Sequence, residues 1–134
     1  SLEEKLKELN IRVANNPKDA DLRWQRAYLF DSLNLPLKSL EDINFFIGKN
    51  PKNTAAYFLR AKLKMALDDD SGAINDFNKI IYLDNKNAEA HYQRGLIRSK
   101  YKDITGACID MKKAVVYGQH KQARIFVEKH CPTK

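Results

Sequence analysis

"AHYQRGLIRSKY", residues 90–101, decides how the chain is read, because it has two relatives upstream: "AYFLRAKLKMAL" at 56–67 and "LRWQRAYLFDSL" at 22–33. Successive copies start 34 residues apart, and each has an aromatic at its third letter and an arginine at its fifth. A period of that length is established before single elements are assigned, since it constrains all of them. At this interval Arg26, Arg60 and Arg94 coincide, as do Asp42, Asp76 and Asp110. Gly72-Ala73 falls on Gly106-Ala107, and Pro17 on Pro51.

Inside each unit the apolar residues keep helical spacing. Leu29 and Leu33, Leu63 and Leu67, and Ile97 and Tyr101 stand four apart in a first helix. A second helix follows, with faces Leu40-Ile43-Phe46-Ile47, then Ala73-Ile74-Phe77-Ile80-Ile81, then Ala107-Cys108-Met111-Ala114-Val115. Asn34-Leu35-Pro36, Asp68-Asp69-Asp70 and Lys102-Asp103 mark where the second helices begin, proline and carboxylates both suiting a first turn. The acidic triplet is therefore read as helix-start chemistry and not as a metal site. Each unit is a helical hairpin.

On these residues the chain resembles the tetratricopeptide repeat family, from Ala20 to Lys121. The family's small first-helix position is filled by Ala27, Ala61 and Gly95, and its second-helix alanine by Ser39, Ala73 and Ala107. The next large residue is Ile43, Phe77 or Met111, and the closing proline survives as Pro17 and Pro51. Arg replaces the family's leucine before the small residue, and Phe30, Lys64 and Arg98 occupy its later aromatic position. The resemblance implies an all-α, right-handed α-solenoid of three hairpins (about 20–53, 54–87 and 88–121) within 17–121. An N-terminal helix at 1–16 forms the second half of a preceding repeat, and a capping helix and tail fill 122–134. Ile125 does not fit the apolar face Ala123-Phe126-Val127 of that cap.

At about 100° per residue, Arg94 shares a helix side with Ile97 and Tyr101, facing a neighbouring helix. A charge so placed needs a partner, so Arg26, Arg60 and Arg94 are expected to form structural ion pairs with carboxylates of the set Asp42, Asp76 and Asp110, each in its own or the adjacent repeat. Trp24, Phe58 and Tyr92 point the other way, joined by Tyr28, Lys62 and Leu96 one turn on and by Asp31, Met65 and Ser99 beyond. The resemblance implies that this face lines a concave peptide-binding groove, with Asp21, Gln25, Leu59, Glu89 and Gln93 beside the row. Aromatics dominate binding hot spots, which favours a protein or peptide partner. Some members of the family clamp chaperone-tail carboxylates with Lys, Asn and Arg. Here those slots hold Trp24, Tyr28, Leu59, Glu89 and Gln93, which disfavours that ligand and favours an apolar or aromatic-bearing segment.

A length of 134 residues with 43% hydrophobic and 31% charged residues suits one folded array. No phosphate-cradling glycine loop, nucleophile elbow or paired metal-binding histidines occur, so no catalytic residue, metal or cofactor is expected. His91 reads as a core or boundary histidine, and His130-Cys131 offers at most two ligands. Cys108 and Cys131 have neither disulfide-framework nor metal spacing, which fits a reducing, intracellular compartment; both are expected to serve packing. The longest stretches free of Lys, Arg, Asp and Glu, for example Ala114 to His120, are far too short to span a bilayer. No apolar leader stands near Ser1, and the absence of Met fits an excerpt or a processed product.

The net charge of +7 is uneven: residues 98–134 hold nine Lys/Arg against three Asp/Glu, which is +6. This basic region (Arg98, Lys100, Lys102, Lys112, Lys113, Lys121, Arg124, Lys129) is an alternative surface for nucleic acid or another polyanion, weighed below the groove because dispersed lysines serve solubility.

Overall fold

The structure, a computed structural model, describes residues 1–133. Among them are eight helices and no strand: α1 (Leu2–Asn15), α2 (Ala20–Ser32), α3 (Pro36–Lys49), α4 (Thr54–Ala66), α5 (Asp70–Leu83), α6 (Ala88–Lys100), α7 (Ile104–Gly118) and α8 (Lys121–His130). They fall into two compact units, Ser1–Asp69 and Asp70–Lys134. In the first, α1 packs on α2, α2 on α3 and α3 on α4; in the second, α5 packs on α6, α6 on α7 and α7 on α8. No helix among the described residues is long and apolar enough to cross a membrane.

Local signals set these boundaries at the repeat interval. Asp19, Asn53 and Asn87 cap α2, α4 and α6, each side chain accepting from the backbone N–H three residues on. After α2, α4 and α6 the chain reverses through Asn34, Asp68 and Lys102, which all adopt positive φ of 59°, 60° and 69°. Asn and Asp tolerate this left-handed conformation better than lysine does. Pro36 then opens α3, while Asp103 caps α7 by accepting from the Gly106 N–H.

Small residues let the helices approach. Ala27, Ala61, Ser39, Ala73 and Ala107 are fully buried, and the Ser39 hydroxyl donates to the Ala27 carbonyl at 2.7 Å. Gly95 is tighter still: a methyl group added there would meet Met111 at 3.1 Å and the Asp110 Cβ at 3.2 Å. In the first unit Leu9 and Val13 of α1 bury against Leu22, and Leu29 packs on them. In the second, Met111, Ala114 and Ala123 form the corresponding cluster with Tyr92, Phe126 and Val127.

In each unit an inward arginine meets a buried aspartate. Arg26 donates to both oxygens of Asp42 at 2.8 and 2.9 Å, and Arg94 to both oxygens of Asp110 at 3.0 and 2.7 Å. Bidentate pairing of this kind satisfies a carboxylate that water cannot reach. The hydrogen bonds to Asp42 raise the Arg26 basicity above its ordinary value. Each carboxylate also holds a second arginine: Arg23 reaches Asp42 at 2.6 Å and Arg98 reaches Asp110 at 2.8 Å. A further partner stands sixteen residues upstream: Arg26, Arg60 and Arg94 donate to Asn10, Asn44 and Asn78 at 3.2, 3.1 and 2.8 Å. Asp76 is buried as well.

A second repeated device closes the turn between hairpins. The carbonyls of Pro17, Pro51 and Asn85 accept from Arg23, Tyr57 and His91, three different side chains in one slot. His91 is accordingly a core residue, 2% exposed. A carbonyl only accepts, so Nε2–H donates to Asn85. Nδ1 is buried with no hydrogen-bond partner among the described residues, 3.5 Å from Asp110 Oδ1.

The cysteine expectation is corrected. Cys108 and Cys131 are bonded as a disulfide, their Cα atoms 5.7 Å apart, tying α7 to the segment that follows α8. Both sulfurs are in use, and the cysteine argument for a reducing compartment falls with that pairing. The terminal helix occupies Lys121–His130 with Ala123 fully buried, and Ile125 points outward at 50% exposure.

Candidate functional site

The face opposite the arginines consists of one patch in each unit. In the first unit Trp24 is half-buried, with its ring 4.4 Å from Phe46 on the core side and 4.9 Å from Tyr28, edge to face, on the open side. Tyr28 is 42% exposed. The pair thus offers one anchored and one accessible ring, a geometry that aromatic rings favour electrostatically. Asp21 and Gln25 are exposed beside it. Across from them on α4, Lys62 donates to Asp31 at 2.9 Å and so ties α2 to α4 along this face. Phe58 and Met65 are half-buried. Leu59, expected beside the row, is buried at 5% exposure and packs beneath the face instead of lining it.

Gln25 also borders a cavity of about 290 Å³ between α1 and α2, whose rim includes Lys5, Glu8, Arg12 and Leu29. This cavity extends the patch toward α1 with side chains of both charges.

The second patch is more occupied. Tyr92 is stacked on His120 at 4.0 Å and 25°, and His120 lies 2.7 Å from Glu89 through Nε2. His120 Nδ1 accepts from the Ala123 N–H as the N-cap of α8, so Nε2–H donates to Glu89. Burial, with Glu89 adding to it, pushes the Tyr92 hydroxyl above its ordinary pKa. Gln93 donates to Glu89 at 2.8 Å, Ser99 is half-buried, and Leu96 is exposed at 38%. The first turn of α8 therefore covers part of this patch.

Asp70, last of the acidic triplet, is buried. It accepts from Lys100 Nζ and the Tyr101 hydroxyl, each at 2.7 Å. These hydrogen bonds, Lys100 first, hold its carboxyl below the ordinary 3.8. Tyr101, placed by its spacing on the apolar face, is 62% exposed and serves through this hydroxyl. Among the described residues no group of three His, Cys, Asp or Glu is arranged to hold a metal ion.

The fold has counterparts among solved structures. MamA superposes on 97% of this chain and 80% of its own, with a TM-score of 0.84 at 15% identity. The chain has the tetratricopeptide repeat fold. YrrB, described as a tetratricopeptide repeat protein with an unusual peptide-binding site, matches 96% of this chain and 66% of its own with a TM-score of 0.84 at 16% identity. The first such domain of Spaghetti (RPAP3), bound to the HSP90 peptide SRMEEVD, matches 82% of this chain and 88% of its own, with a TM-score of 0.74 at 16% identity. No protein-family model matches the sequence, and no curated protein does.

Proposed function

We infer that the chain is a non-catalytic protein-interaction module that takes a peptide or helical segment of a partner on the face carrying Trp24 and Tyr28. The observation that carries this reading is the half-open ring pair. Trp24 is fixed from below by Phe46, while Tyr28 is open to a partner. A rigid ring held in place loses little freedom on binding, which is why such rings anchor interfaces.

The assigned roles follow from placement. Trp24, Tyr28, Phe58 and Met65 supply apolar contact, while Asp21, Gln25 and Lys62 supply the polar rim. In the second unit Tyr92 and Leu96 are the apolar contributors and Glu89, Gln93 and Ser99 the polar ones. Solved relatives in fold add support: YrrB is described as having a peptide-binding site, and the RPAP3 domain is seen with a chaperone peptide. In this chain the positions corresponding to a carboxylate clamp hold Trp24, Tyr28, Leu59, Glu89 and Gln93, so the preferred ligand is an apolar or aromatic segment and not an acidic tail.

Selecting displayed random peptides on the wild-type chain and on a Trp24→Ala/Tyr28→Ala variant tests this. The wild type should enrich sequences with a spaced pair of large apolar residues, and the variant should fail to retain them. Equal enrichment on both proteins contradicts the assignment.

A further inference from the structure

A second surface lies elsewhere, along α7 and α8. On α7, Ile109 and Val116 stand 51% and 76% exposed on the outer side of a buried row formed by Cys108, Met111 and Ala114. On α8, Arg124, Val127 and Glu128 run alongside with i, i+3, i+4 spacing. Between the helices is a cavity of about 670 Å³ lined by Lys112, Val115, Val116, Arg124, Val127 and Glu128. A smaller one of about 190 Å³ continues past Ile109 to Pro132, and Lys112 borders both. From Ile104 to Val116 the stripe is roughly 18 Å long at the rise of an α-helix, room for about three helical turns. A furrow between two helix ridges, with no strand edge beside it, accepts a helix better than an extended chain.

The charge around it names the occupant's chemistry. The lining carries two cations and one carboxylate, and Lys113, Lys121 and Lys129 stand exposed nearby. The repeated polar ladder also changes sign here. Asn10, Asn44 and Asn78 are followed at the same interval by Lys112, and Arg26, Arg60 and Arg94 by Glu128. Another hairpin of the same kind would bring its aspartate against Glu128, two like charges, where the preceding arginines draw a carboxylate in. We propose that this groove docks an amphipathic helix of a partner protein, its aliphatic stripe on Val116 and Val127 and its acidic flank on Lys112 and Arg124.

The test uses two labelled helical peptides of about 16 residues. Both carry leucines at i, i+3, i+4 and i+7; one is flanked by glutamates and the other by lysines. Fluorescence anisotropy on the full chain at about 0.15 M salt should show the acidic peptide binding at least roughly tenfold tighter than the basic one. Val116→Asp, at an exposed position and with its fold checked by circular dichroism, should weaken it about tenfold. Lys112→Glu/Arg124→Glu should reverse the preference. Trp24→Ala/Tyr28→Ala should leave the acidic peptide's affinity unchanged, which separates this surface from the one assigned above. Equal affinity for the two peptides, indifference to Val116→Asp, or loss in the Trp24→Ala/Tyr28→Ala variant overturns the proposal. So does a single-stranded oligonucleotide or an anionic phospholipid vesicle that binds more tightly than the acidic peptide, since phosphate would then be the ligand.

Discussion

The hairpins α2–α3 and α6–α7 are built alike yet differ in what they leave open. In both, one buried aspartate gathers two arginines: Asp42 takes Arg23 and Arg26, and Asp110 takes Arg94 and Arg98. In both, a capping residue, a left-handed turn residue and a donor to the inter-hairpin carbonyl recur at the same interval. On the opposite face the likeness ends. Trp24 and Tyr28 form an open pair, whereas Tyr92 is stacked under His120. Shared inward chemistry maintains the fold, and unshared outward chemistry is where a ligand can be told apart.

The comparison breaks most forcefully at the aspartates. Asp110→Ala leaves two arginines without their buried acceptor and should cost about 3–5 kcal/mol in chemical denaturation. Asp42→Ala should cost a similar amount, and a near-neutral result at either would mean that its arginines reach other acceptors. Next is the disulfide, which only the second unit has. Its partners are 23 residues apart in sequence, a loop whose closure contributes about 3 kcal/mol. Cys131→Ser, or a dithiol reductant on the wild type, should lower the melting temperature. Hydrogen exchange should then rise first in α8 and leave α2–α3 protected.

Acid should act on the second unit through Asp70. Its folded carboxyl lies below the ordinary 3.8, so its stabilisation is present above that value and is lost as the pH falls through the folded pKa. Asp70→Asn should reduce stability at neutral pH and flatten the loss seen on acidification. The smallest effect is expected at the left-handed turns. Lys102→Gly should gain roughly 0.5–1 kcal/mol, and Asn34→Gly less, because asparagine already tolerates that backbone.

Much of this was legible because a 34-residue period makes every feature appear more than once. Arg26 with Asp42 and Arg94 with Asp110 followed from helix geometry, since a charge on an inward face must be met. The Asn10, Asn44 and Asn78 series has the same interval but gives no such signal, because amides carry no charge that demands a partner. The disulfide was not legible. A separation of 23 residues says nothing about proximity until α8 is known to turn back along α7. The covering of Tyr92 was hidden for the same reason: it depends on where His120 starts a helix outside the period. Leu59 shows the limit of a helical wheel, which gives direction but not how close the neighbouring helix comes.

The central claim is that the open ring pair on α2 is a peptide-binding anchor. Its most direct test titrates a peptide selected on the wild type against Trp24→Ala/Tyr28→Ala and against Lys112→Glu/Lys113→Glu, at low and at high salt. The account predicts at least about tenfold weaker binding to the ring variant, little change in the lysine variant and little salt dependence. Binding that survives loss of the rings but falls steeply with salt, or with loss of the lysines, contradicts it.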